Sequence, residues 1–231
     1  MNYKEIFAIV LSLSAPSAFA QNAAQTTEPE PLSEAEKLVW RDNQLGNISK
    51  AGKLIYAFKK EGALETGFSD TIELTISEVK PDGMKNAALR VFSGPRERRI
   101  EPNPNTNANP LAEVFLERDI HEMERVTEGK WPFFQNKIKK ALARQAEIKD
   151  VEIEFKGKKL KGKQIRITPF AGDPKSTLMG AYAKKHYEFQ FCDAIPGNLF
   201  MIRSEVPAES KDGKAAAKPA MAETLSLKSV E

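Results

Sequence analysis

The sequence predicts an α+β fold: a curved antiparallel sheet, half-barrel-like, with an αα-hairpin inserted in it and packed on one face. Three observations carry this expectation. Apolar residues alternate at a period of two in runs joined by tight turns, the pattern of antiparallel pairing. The runs are interrupted between residues 111 and 146 by two segments whose apolar residues recur at three and four. A sheet with one wet face must cover the other, and residues 111–146 hold the large apolar helical surface able to do so.

The chain begins with a stretch that reads as a secretory signal over residues 1–20. Lys4 supplies positive charge, Ile6 to Leu13 form a short apolar run, and Ala18-Phe19-Ala20 has the small-x-small spacing of a cleavage site. The run is too short to span a bilayer, which takes roughly 20 helical residues. The residue directly after the cleavage site is Gln21 and not a lipid-bearing cysteine, and no later stretch is apolar enough to span a membrane, so the expected product starts at Gln21, is soluble, and is periplasmic or secreted. Residues 21–32 are polar and proline-bearing, and read as a tether.

Ser33 stands three residues before Glu36, the spacing of a capping box, which predicts a short helix over about 33–44 ended by Gly46 and Asn47. From Lys53 the period becomes two: Leu54, Tyr56 and Phe58 alternate with Ile55, Ala57 and Lys59, and Ile72, Leu74 and Ile76 with Glu73, Thr75 and Ser77. Pro81-Asp82-Gly83 is a turn, and Leu89, Val91 and Phe92 suggest the return strand. Residues 93–110 contain four prolines and four asparagines and read as a long exposed loop.

Leu111, Phe115, Leu116, Ile120 and Met123 then mark a helix that Gly129 is placed to stop. Trp131, Phe134, Ile138 and Leu142 mark a second over 131–146, with Pro132 tolerated in its first turn. Six acids and two bases in 113–128 oppose four bases and no acid in 131–146, which favours antiparallel pairing of the two. Val151, Ile153 and Phe155 resume the strand pattern, followed by a turn holding Gly157 and Gly162 and then Ile165 and Ile167. Glu152 and Glu154 are expected to face Arg166 across this hairpin. The last hairpin runs through Tyr187, Phe189 and Phe191, turns at Pro196-Gly197-Asn198 and returns from Leu199 to Val206. One domain over 33–206 is expected, followed by a low-complexity linker from 207 and an edge strand at 223–230.

Composition narrows the chemistry. A formal charge of +3 over 231 residues does not suggest a nucleic-acid binder. A single cysteine excludes a disulfide framework, and in an oxidising compartment that thiol must be buried, catalytic or paired with another chain. The string from Gly157 to Lys163 fits G-x-x-x-x-G-K, yet Gln164 replaces the hydroxyl residue and the continuation alternates as a strand, so no nucleotide cofactor is expected. His121 lacks a second histidine four residues on, and no metal is expected there. His186 and Cys192 are separated by about 20 Å of extended strand, too far for a dyad. No G-x-S-x-G, C-x-x-C or G-x-G-x-x-G occurs. No catalytic residue is assigned.

Asn109-Pro110-Leu111, Phe115-Leu116-Glu117-Arg118-Asp119 and Phe133-Phe134, with Tyr187-Glu188-Phe189 and Ala194-Ile195-Pro196-Gly197, resemble exported bacterial proteins of unknown function over most of residues 50–206. The strand, helix-pair, strand order is also similar to the periplasmic lipoprotein carriers, and that resemblance implies an unclosed barrel with a helical lid. It moves no residue role across.

The expectation is therefore a non-catalytic binding or assembly module of the cell envelope. Its concave face would accept an apolar or amphiphilic ligand, such as a lipid or lipoprotein. The candidate lining is Tyr56, Phe58, Leu74, Ile76, Phe115, Trp131, Phe134, Phe189 and Phe191, whose spacing equally fits plain core. Residues 137–166 carry eleven bases against four acids, and Lys156, Lys158, Lys159, Lys161 and Lys163 at the hairpin tip could meet an anionic membrane surface or acidic protein. Arg96, Arg98 and Arg99 form a second basic cluster with the same expectation. The rivals are an envelope hydrolase using carboxylates or Cys192, and a scaffold that binds partners through the basic loops.

Overall fold

The computed structural model describes residues 31–40, 43–208 and 218–231. The expected leader, nearly all of the tether and residues 209–217 of the linker lie outside the described residues. Nine strands form one sheet: β1 Gly52–Gly62, β2 Phe68–Val79, β3 Lys85–Val91, β4 Arg98–Thr106, β5 Glu147–Phe155, β6 Lys158–Ile167, β7 His186–Phe191, β8 Leu199–Val206 and β9 Met221–Val230. Among the described residues three α-helices accompany it, α1 Glu34–Trp40, α2 Leu111–Val126 and α3 Trp131–Arg144. The sheet is antiparallel throughout, curved and unclosed, in the order β4-β3-β2-β1-β9-β8-β7-β6-β5. Two four-stranded meanders thus lie side by side, joined through β9. The α2–α3 pair connects β4 to β5, the two outer edges, so the chain must pass from one end of the sheet to the other in two helices.

The strands bury one parity of residues. Leu54, Tyr56 and Phe58 on β1 face Leu74 and Ile72 on β2, and Leu227 and Leu225 on β9. Ile202 of β8 stands between Leu225 and Phe189, and Phe189 is next to Ile165 of β6. This continuous apolar layer meets Leu111, Phe115, Leu116, Ile120 and Met123 of α2, with Phe134, Ile138 and Leu142 of α3 in the same core. Burial of each such side chain is worth about 1.5–3 kcal/mol.

The capping box forms as spaced. The Glu36 amide donates to Ser33 Oγ (3.2 Å), the Ser33 amide donates to Glu36 Oε2 (2.9 Å), and the Ser33 hydroxyl also reaches the Leu142 carbonyl of α3. Gln44 Nε2 donates to the Leu38 and Val39 carbonyls in the last described turn of α1, and Gln44, Gly46 and Asn47 fall in a separate 3-10 turn, so the helix stops short of the expected residue 44. At the Pro81-Asp82-Gly83 turn the Met84 amide is held by Asp82 Oδ1, and Gly83 takes φ +83°.

Five expectations are corrected. Residues 98–106 are a strand and not part of a loop: β4 pairs with β3 through Arg98, Arg99, Ile100, Asn103 and Thr106, while Pro102 and Pro104 fall outside the paired positions. An edge strand tolerates proline because one side needs no ladder bond. Residues 223–230 do form a strand, but at the centre of the sheet between β1 and β8. Glu152 and Glu154 lie opposite Lys161 and Lys159, whereas Arg166 lies opposite Glu147 and binds Glu188 of β7 at 2.7 Å. The reason is the turn: Lys156 (φ +51°) and Gly157 (φ +72°) are both left-handed, a two-residue hairpin that leaves Gly162 inside β6 against Ile153. Gly129 does not stop α2, which ends at Val126 with the Thr127 hydroxyl on the Met123 carbonyl; Gly129 instead lets Phe134 approach its backbone.

His186, at the start of β7, is buried. That burial pushes its imidazole below the ordinary value near 6.5, and Arg166 adds to the effect against the opposing pull of Glu205 and Glu188. The unfolded chain therefore binds the proton first, so stability is full above pH 6.5 or so and falls as pH drops through the lower folded value. The thermal midpoint is expected to fall on acidification below about pH 6.5, and His186→Gln to flatten that part of the curve. An equal slope in both proteins would show that other groups carry it.

Candidate functional site

The nine candidate lining residues divide in two. Tyr56, Phe58, Leu74, Ile76, Phe115, Phe134, Phe189 and Phe191 are each at most 4% exposed and are covered by the protein itself. Tyr56 donates its hydroxyl to the Leu199 carbonyl (2.9 Å), and its phenol is raised because burial disfavours the phenolate. Trp131 differs: it is partly buried against the same core and, with Leu32, Trp40, Leu116, Ile120 and Ile138, lines an open depression of about 630 Å³ bordered by α1, α2 and α3. The sheet–helix layer is thus a packed seam in this state.

Part of the seam is ionic, which sequence reading missed. Asp119, 1% exposed on α2, accepts from Lys185 Nζ (2.6 Å), Tyr187 Oη (2.6 Å) and Ser204 Oγ (3.2 Å). The preceding residue, Arg118, pairs with Glu223 of β9. One turn forward, Glu122 binds Lys60 of β1 at 2.9 Å and Arg125 at 2.7 Å, and Glu65 joins both cations. α2 is therefore tied to β1, β7, β8 and β9 by charged and polar contacts as well as by its apolar stripe. The signal was in the parity: Lys60 continues the inward series Tyr56 and Phe58, Glu223 the series Leu225 and Leu227, and Asp119 lies midway between Phe115 and Met123.

The environment sets the charges. Burial lifts the Glu223 carboxyl above the usual range, against the pull of Arg118, and its Oε1 has no hydrogen-bond partner, with Lys60 Nζ 3.7 Å away. Burial works against the Lys60 ammonium, yet Glu65 and Glu122 hold it above its ordinary value. Arg125 and Lys60 keep Glu122 well below the carboxylate range, and burial beside Asp119 pushes the Tyr187 phenol well up.

The two basic clusters lie at opposite edges of the sheet. Lys156, Lys158, Lys159, Lys161 and Lys163 belong to the β5–β6 hairpin, where Lys159 pairs with Glu152 and Lys163 with Glu34 and Asp150. Arg96, Arg98 and Arg99 border β4 and share an open cleft of about 920 Å³ with the exposed side of α2. Its floor includes Val91, Phe92, Ile100 and Val114. Phe92 takes φ +63°, a conformation that costs a bulky residue about 1 kcal/mol or more. Its amide bonds the Thr71 carbonyl, and its ring packs 4.8 Å from Phe58 and 5.4 Å from Phe68, which holds it there.

Cys192 is buried at 2% exposure, and its amide donates to the Asn198 carbonyl at the β7–β8 turn. No helix among the described residues is long and apolar enough to cross a membrane.

No protein-family model matches the chain, and no curated protein matches it. Solved structures similar to it include the Mycobacterium tuberculosis lipoprotein LppX, with 10% identity, 76% of this chain and 84% of that one covered, and a TM-score of 0.31. A LolA-superfamily protein from Nitrosomonas europaea is similar at 7% identity, with 81% and 90% covered and a TM-score of 0.22. Likenesses of this strength transfer no residue role.

Proposed function

We propose that the protein is an exported, non-catalytic module of the bacterial cell envelope that holds the apolar part of a lipid or lipoprotein between its sheet and helices. The observation that carries this reading is the unclosed, apolar-faced sheet whose two edges are joined by a helix pair. The ion pairs of α2 support it. Charges that part can be rehydrated, so a seam containing Arg118, Asp119, Glu122 and Arg125 opens at less cost than an apolar one of equal area. The leader-like residues 1–20 support export.

Native mass spectrometry of the protein purified from a bacterial envelope, with solvent extraction of the same sample, tests the reading. The expected result is a mass excess matched by an extracted amphiphile. A mass equal to the polypeptide, together with no binding of a fluorescent acyl probe by the same protein, would overturn it.

A further inference from the structure

We infer that the cleft between β4 and α2 is a head-group site, which takes the anionic phosphate or carboxylate of an amphiphile whose chain lies on the cleft floor. This rests on the proposed function and specifies the charge class of its ligand.

The register of β4 makes the site. Arg98 lies opposite Val91, and Ile100 opposite Leu89, so both continue the face on which β1–β3 bury apolar side chains. At the edge that face carries a guanidinium and an isoleucine left 39% exposed. The cleft they border, about 920 Å³, is of the size that receives a small ligand.

Most charges around it are committed. Arg99 pairs with Glu97 (2.9 Å), Arg118 with Glu223, and Arg125 with Glu65 and Glu122. Among the described residues Arg98 makes no ion pair or side-chain hydrogen bond, and Arg96 makes none either: its guanidinium lies 4.5 Å over the Phe68 ring and attracts the Asp70 carboxylate only at longer range. Stacking fixes the guanidinium plane and leaves its N–H edges free, the arrangement that binds phosphate or carboxylate in bidentate fashion. Against these two free cations stands one lining carboxylate outside an ion pair, Glu117 on α2. His121 lines the same side, 3.8 Å from Glu124. Uncommitted positive charge over an apolar floor matches one lipid monomer better than a flat acidic protein surface, which would leave Phe92, Val114 and Ile100 unpartnered.

The test compares lipids of one chain length, below their micelle concentrations, on the leaderless full chain. Palmitoyl lysophosphatidic acid is expected to bind at least about tenfold more tightly than palmitoyl lysophosphatidylcholine. Arg96→Glu/Arg98→Glu should remove that preference and leave the zwitterionic lipid unchanged. Arg96→Gln/Arg98→Gln should remove part of it, and Lys228→Glu, on exposed β9 surface, none. Rising salt should weaken only the anionic lipid. Equal affinity for the two lipids would overturn the inference and leave the proposed function standing; failure of both to bind would overturn both. Inorganic phosphate competing at the lipid's own concentration would also overturn it, because the site would then recognise an anion without a chain.

Discussion

Asp119→Ala is expected to lower the unfolding free energy by about 3–5 kcal/mol, the range for removing one partner of a buried ion pair. Three donors converge on this carboxylate, and the Lys185 ammonium is itself only 3% exposed. Alanine leaves that ammonium without a counter-ion and the Tyr187 hydroxyl without its acceptor, and neither can turn to water without parting α2 from β7 and β8. At about 2–4 °C per kcal/mol for a chain of this size, the thermal midpoint should fall by roughly 10 °C. Asp119→Asn keeps one acceptor oxygen and should cost less. Asp119→Leu combined with Lys185→Met should recover much of the loss, since apolar replacement of a whole buried pair is often neutral or better. Urea unfolding followed by circular dichroism measures all three. A loss below about 1 kcal/mol for Asp119→Ala would mean that the pair is hydrated in solution and does not anchor the helix.

Phe134→Ala is expected to cost about 3–5 kcal/mol through the cavity it opens. The ring is fully buried, edge-on to Phe170 (centroids 5.7 Å apart, 84°) and to Phe133 (5.4 Å, 72°), with the Gly129 backbone against its tip. It therefore holds together the α2–α3 turn, the first turn of α3 and the loop after β6. Collapse of these three segments onto a smaller side chain is opposed by the close Gly129 contact, so little of the lost packing should be regained. Phe133→Ala, at a half-buried neighbour, should cost markedly less. Equal losses at the two positions in equilibrium denaturation would refute the assignment of Phe134 as the wedge.

Much of the strand content was legible because alternation is a property of the backbone. Successive side chains point to opposite faces, so Leu54, Tyr56 and Phe58 had to share a side wherever the strand lay. The hairpin turns and the Ser33–Glu36 cap were legible for the same reason: each is closed by residues at most six positions apart. β4 was hidden because Pro102 and Pro104 read as loop, and only its place at an edge makes them tolerable. In the seam between sheet and helices, the inward apolar residues were legible and the inward charged ones were not. Lys60, Asp119 and Glu223 stood at inward positions, but a lone charge there has no meaning until its partner is known.

By itself the sequence determined the periodicities, the turns, the cap, the helix pair and the division into one apolar and one wet face, all set by short-range geometry. Tertiary structure alone decided that β9 fills the centre of the sheet, that Asp119 meets Lys185 across 66 residues and Arg118 meets Glu223 across 105, and that Arg96 and Arg98 make no ion pair among the described residues. Those outcomes depend on which distant segments share a neighbourhood. Local spacing is blind to that choice, because burial and charge pairing are properties of the assembled layer.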